Sequence, residues 1–241
     1  MSISILSTLA LGLVVGLKHA LDADHLAAVS TMATERRGLL ASSLIGALWG
    51  LGHTISLMLA GVLVIVFHFE IGERASKALE LCVGFMLIAL GVNSLRKLAR
   101  GGKTPIHARE HHGDRHRHAL FDERSQEDIP DAHPGPRLGA PPLLVGMMHG
   151  LAGSAALTVL VVAAIPSPAL GLLYIAIFGI GSIGGMVIMS TLFSLPAQLA
   201  SLPFSRANIL IRGLAGSFSV CFGVFLVYDM ALALMSLATN S

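Results

Sequence analysis

Gly16-Leu17-Lys18-His19-Ala20-Leu21-Asp22-Ala23-Asp24-His25 sets two imidazoles, two carboxylates and one amine inside a stretch that is otherwise largely apolar, from Ile3 to Val15 before it and from Leu26 to Met32 after it. An ionisable side chain at the centre of a membrane-spanning helix costs about 2.5–3.5 kcal/mol, so such a cluster faces protein or water and marks a functional site. Neutral nitrogen and anionic oxygen donors side by side suit divalent transition metals that accept imidazole, nickel, cobalt and zinc among them.

The rest of the chain places that cluster in a membrane. Of 241 residues 54% are hydrophobic and only 12% charged, with a mean hydropathy of +0.76; soluble domains carry about 25% charged residues. A helix needs about 20 apolar residues to cross the hydrocarbon core, and six stretches are long enough, at about 4–33, 40–67, 77–98, 140–165, 169–195 and 212–237. The first has no basic leader and runs straight into the polar cluster, so it is expected to be retained rather than cleaved. Cys82 and Cys221 fall inside predicted spans without C-x-x-C spacing, and are expected to be packed thiols. Arg36 and Arg37, nine basic residues from Arg96 to Arg137, and Arg206 with Arg212 occupy alternate connections, whereas Arg74 and Lys77 sit among Glu70, Glu73 and Glu80. Basic residues stay in the cytoplasm, which puts both termini outside a plasma (inner) membrane and the connection between the third and fourth spans inside.

Three spans recur. At an offset of 130, Val15-Gly16-Leu17-Lys18-His19-Ala20-Leu21 aligns with Val145-Gly146-Met147-Met148-His149-Gly150-Leu151, and Val29 with Val159. Trp49-Gly50-Leu51-Gly52-His53 aligns with Phe178-Gly179-Ile180-Gly181-Ser182, and Gly84 and Gly91 with Gly216 and Gly223. A unit of three spans must re-enter the membrane in the opposite sense, so the expected fold is an all-α polytopic membrane protein of six transmembrane helices in an inverted 3+3 repeat. Residues 1–98 and 140–241 form the repeats and 99–139 a linker. Such folds commonly hold their substrate near the midplane, between the halves, and rocking of one repeat against the other would alternate access.

His19, His25, His53 and His149 are then the intramembrane candidates. On a continuous helix His19, Asp22 and His25 share a broad face and Asp24 points away. A locally unwound turn, tolerated only where backbone lines a cavity or is buried in protein, would aim His19, Asp24 and His25 inward together. Asp22 is placed to orient a ligand imidazole, as carboxylates commonly do, or to pair with Lys18; Thr54 and Ser154 are the nearby supporting hydroxyls.

These residues carry a resemblance. His19-Ala-Leu-Asp-Ala-Asp24-His25 is similar to the His-x4-Asp-His signature of the nickel/cobalt transporter family, the high-affinity nickel permeases. Leu51-Gly-His53-Thr54 and Gly146-Met-Met-His149-Gly-Leu151 resemble that family's second and third elements, in the same order. The resemblance implies that His19, Asp24 and His25 select the metal, with His53 and His149 contributing to its path, and that Ni2+ or Co2+ is substrate rather than cofactor. The third element usually continues toward Gly-Phe-Asp-Thr and here reads Ala152-Gly153-Ser154-Ala155, and six spans are fewer than the usual eight. The chain therefore looks closer to the shorter urease-accessory, nickel-permease-like relatives.

Between the repeats, His107, His111, His112, His116, His118 and His133 are interleaved with arginines and acids. Polar sequence without periodicity reads as a disordered linker, and a histidine-rich tract as auxiliary metal binding. The function classes that remain are a metal carrier, a membrane metal sensor or nickel-enzyme assembly partner that binds without carrying, and a small organic or sulfur anion carrier. An acidic centre without an arginine cluster argues against the last. No nucleophile accompanies the aspartates and histidines as an enzyme would require. No phosphate-binding loop is present, and the basic residues follow topology rather than a nucleic-acid surface. Expected partners are the metal ion, the bilayer, and either a second copy of the chain or nickel-enzyme maturation proteins.

Overall fold

The computed structural model describes residues 2–34, 38–69, 72–100, 140–152, 165, 167–199 and 205–239. They are all-helical: α1 (Ser2–His19), α2 (Ala23–Thr34), α3 (Leu39–Ile65), α4 (Glu73–Ala99), α5 (Ala140–Gly150), α6 (Pro168–Leu199) and α7 (Ser205–Thr239). Among the described residues four helices are long and apolar enough to cross a membrane, α3, α4, α6 and α7, and a fifth crossing is available if α1 and α2 form one bent span. The chain is a multi-pass membrane protein. The expected span at 140–165 is described at 140–152 and at Ile165, and the histidines of the 99–139 linker lie outside the described residues.

The expected first span, 4–33, is broken rather than continuous. Ile5–His19 and Ala23–Thr34 meet at 58°, and the break is made by hydrogen bonding, not by glycine or proline. Leu21 N–H donates to Lys18 O (2.9 Å) and Asp22 N–H to His19 O (3.0 Å), tightening the last turn of α1. Asp22 then precedes α2, its carbonyl accepting from Leu26 N–H (2.9 Å), the position where aspartate is favoured before a helix. The same tight turn ends α5, where Ala152 N–H donates to His149 O (3.1 Å).

Lipid offers apolar side chains as good a home as a protein neighbour does, so these helices associate by close backbone approach and by hydroxyl hydrogen bonds. α4 lies along α7, α3 along α6, α1 along α6 and α5 along α3, while α2 packs between α6 and α7. Glycines seat the contacts: a Cβ on Gly16 would strike the carbonyl of Phe178, and one on Gly146 the carbonyl of Trp49. Gly52 lies against Leu143 O and Gly181 against Leu13 O, and Gly84 and Gly91 close on Gly223 and Gly216. Hydroxyls add cross-helix ties, Thr31 Oγ1 to Ala215 O (3.3 Å), Thr54 Oγ1 to Gly179 O (3.3 Å) and Ser219 Oγ to Leu87 O (2.9 Å).

One expectation fails. Cys82 and Cys221 are exposed on the outer surfaces of α4 and α7 rather than packed, because a lipid-facing position and a core position read alike in an apolar sequence. Of the two roles open to Asp22, the structure takes the imidazole: Asp22 bonds His19, and Lys18 is exposed.

Candidate metal centre

Three helix ends converge in the interior. α1 finishes on His19, α2 starts with Asp24 and His25 in its first turn, and α5 finishes on His149 and Gly150. His53 approaches from the middle of α3, where it is fully buried. The C-terminal ends of α1 and α5 carry partial negative charge, which favours a cation, while the start of α2 favours the Asp24 carboxylate. The broken turn puts Asp24 on the same side as the imidazoles, where a continuous helix would have turned it away.

Asp24 is the hub. Its Oδ1 accepts from the backbone N–H of His25 (2.9 Å) and lies 3.0 Å from His25 Nδ1, and its Oδ2 lies 2.8 Å from His149 Nε2. Asp22, half exposed, holds His19 by a 2.7 Å contact from Oδ2 to Nδ1. The rings crowd together at tilted and edge-on angles: centroids are 4.4 Å apart for His19 and His25, 4.2 Å for His25 and His149, 5.2 Å for His19 and His53 and 5.3 Å for His25 and His53.

Burying an imidazole nitrogen without a hydrogen bond is costly. Yet His25 Nε2, both ring nitrogens of His53 and His149 Nδ1 are buried with no partner among the described residues. Unpartnered imidazole nitrogens beside a carboxylate are donors that a divalent transition-metal cation would satisfy. Two groups have the spacing for it, His19 with His25 and His53, and Asp24 with His25 and His149, each with donor atoms within 4.8 Å of one another.

All five residues singled out as metal ligands are thus gathered in one place, with Asp22 against His19. Thr54 faces elsewhere, donating to Gly50 O (2.8 Å) and Gly179 O (3.3 Å) to tie α3 to α6. Ser154 and His107, His111, His112, His116 and His118 lie outside the described residues. Sequence reading passed over Trp49 and Phe178 as site residues. Trp49 is buried, its ring 5.4 Å from His25 and 5.7 Å from His149, with Nε1 unpartnered among the described residues; Phe178 stands 5.4 Å from His19. Their alignment in the repeat was the available signal, since both fall four residues before the position that His53 fills in one unit and Ser182 in the other.

Residues 8–225 match the family described as cytochrome C biogenesis protein transmembrane region. The chain belongs to that family. Urease accessory protein UreH of Bacillus sp. (strain TB-90) is 34% identical over 228 residues, 95% of this chain and 93% of that protein. That likeness places the chain in the urease-accessory subgroup to which its motifs pointed. Chloroplast protein FOR GROWTH AND FERTILITY 2 of Arabidopsis thaliana is 26% identical over 184 residues, 73% of this chain and 44% of that protein. No solved structure matches the chain.

Proposed function

We propose that the chain carries a divalent transition metal, Ni2+ or Co2+, across the membrane through the cluster of His19, Asp24, His25, His53 and His149. The observation that carries this reading is the Asp24 carboxylate shared between His25 and His149, two fully buried imidazoles from separate parts of the chain whose other nitrogens have no hydrogen-bond partner among the described residues. The likeness to a urease accessory protein supports nickel, the metal of that enzyme, as the cargo.

The reading takes the chain as a six-helix inverted 3+3 repeat. Paired contacts support it: Gly16 on Phe178 is answered by Gly146 on Trp49, and Gly52 on Leu143 by Gly181 on Leu13, with the partners exchanged as a two-fold axis requires. His19 and His149 are related by that axis. Asp24 and His25 align with Ser154 and Ala155, so the carboxylate comes from the first repeat alone. In the inner membrane, with both termini outside, the histidine-rich linker would face the cytoplasm and receive or buffer the ion.

Flux of Ni2+ and Co2+ into proteoliposomes, compared between the wild type and the His19→Ala/Asp24→Ala/His25→Ala variant, tests the proposal. Flux lost in the variant supports a carrier. Metal binding without flux in the wild type would favour the second reading, an assembly partner or sensor for a nickel enzyme, which the accessory role in the relative's name favours.

A further inference from the structure

The five donors do not form one coordination sphere. They divide into two overlapping sets, His19 with His25 and His53, and Asp24 with His25 and His149, and His25 belongs to both. The division follows the bonding: Asp24 reaches His25 and His149, at 3.0 and 2.8 Å, whereas His19 is bonded to Asp22 and His53 to nothing among the described residues. His53 and His149, which enter from α3 and α5, are 6.3 Å apart between ring centroids, farther than either is from His25, at 5.3 and 4.2 Å.

We infer, resting on the metal reading above, that the chain has two adjacent ion positions occupied in alternation, with His25 as the ligand common to both. A neutral imidazole has one lone pair in its ring plane, on whichever nitrogen is not protonated. While Nδ1–H of His25 donates to Asp24, Nε2 is the ligating nitrogen and the ion sits with His19 and His53. When the ion moves to Asp24 and His149, the carboxylate turns from hydrogen-bond acceptor to ligand and His25 ligates through Nδ1, giving that proton to water that reaches the partly exposed Asp24 and taking one on Nε2 from water entering the vacated position, so that no net proton is released. One lone pair cannot serve two ions, and two dications a few ångströms apart in a low-dielectric interior repel strongly. Occupancy is therefore one ion per chain.

The two positions differ in chemistry. The three-histidine position offers only neutral nitrogen donors, all from buried side chains, so it discriminates by affinity for nitrogen and disfavours hard, oxygen-seeking cations. The second adds one negative charge from Asp24, whose side chain keeps 24% of its exposure. Stepping between them exchanges selectivity for charge compensation.

The test is binding of Ni2+ to the purified full chain in detergent, by titration calorimetry for stoichiometry and by X-ray absorption for the number of imidazole ligands. The wild type is expected to bind one ion. His53→Ala should keep one ion with two imidazoles and a carboxylate, and His149→Ala one ion with three imidazoles, whereas His25→Ala should weaken binding more than 100-fold. Two ions on the wild type would overturn alternation. Loss of binding in His53→Ala or His149→Ala as severe as in His25→Ala would overturn the division and leave one composite site. The wild-type stoichiometry needs no substitution, and His53→Gln and His149→Gln repeat the ligand count with side chains that keep hydrogen-bonding capacity. Absence of any binding to the wild type would remove the metal reading itself, and this inference with it.

Discussion

Replacing Asp24 by asparagine keeps the size and shape of the hub and removes its charge. The carboxylate makes two contacts with imidazole nitrogens, 3.0 Å to His25 and 2.8 Å to His149, and these two rings are fully buried. A hydrogen bond to a charged group contributes about 1.5–3 kcal/mol net. Asparagine keeps one acceptor oxygen but turns an NH2 toward the other ring, so one charged contact is lost outright and the remaining one becomes neutral. The ion also loses its one anionic ligand, while His19, His25 and His53 remain available. We expect metal affinity to fall by about 2–3 kcal/mol, which at about 1.4 kcal/mol per decade is about 30- to 150-fold, and not to vanish. Ni2+ titration of Asp24→Asn in detergent, with proteoliposome flux measured in parallel, reads this directly. Affinity and flux within about threefold of wild type would show that the carboxylate neither ligates nor organises the site.

Four further outcomes are expected. Affinity for Ni2+ should rise with pH, because protons compete for the nitrogen lone pairs a metal needs; Ni2+ titrations in detergent at a series of pH values read it, and affinity that falls as pH rises would oppose histidine ligation. Asp22→Asn, which loosens the 2.7 Å hold on His19, should lower affinity about 10- to 100-fold as removal of an orienting carboxylate does, without changing the number of ions bound. Gly16→Ala and Gly146→Ala, each driving a methyl into a facing carbonyl, should each destabilise the fold by about 1–3 kcal/mol, read as matched drops in melting temperature in detergent. Deleting residues 105–134 should shift the concentration dependence of transport while the membrane site still binds metal; an unchanged dose response would leave the loop histidines without a role in supply.

Much of the centre was legible because charge in an apolar run is rare enough to be read singly. His19, Asp24 and His25 stand out by cost alone, and His149 by its place in the repeat. The break between α1 and α2 was legible only as an alternative: Ala20-Leu21-Asp22 contains neither glycine nor proline, and what decides it is a set of local hydrogen bonds that no residue type announces. Trp49 stayed hidden because a tryptophan in a glycine-rich span reads as packing, and only its unpartnered Nε1 beside two histidines sets it apart. Cys82 and Cys221 misled for the opposite reason: where the solvent is lipid, hydropathy does not separate outside from inside.

The glycine seats constrain how this protein can move. α1 is locked onto α6, and α5 onto α3, so each sequence half holds a helix of the other in its grip, like two hands with fingers interlaced. Pulling the halves apart as rigid bodies would lift Gly16, Gly52, Gly146 and Gly181 off the carbonyls they rest against. The mechanical parting line therefore does not follow the order of the chain. Among the described helices it runs between the interlaced block of α1, α3, α5 and α6 and the α4–α7 pair, and α2 makes most of the contact across it. Asp24 and His25 ride on that helix, so a shift of the α4–α7 pair is felt first by the hub carboxylate and the shared imidazole.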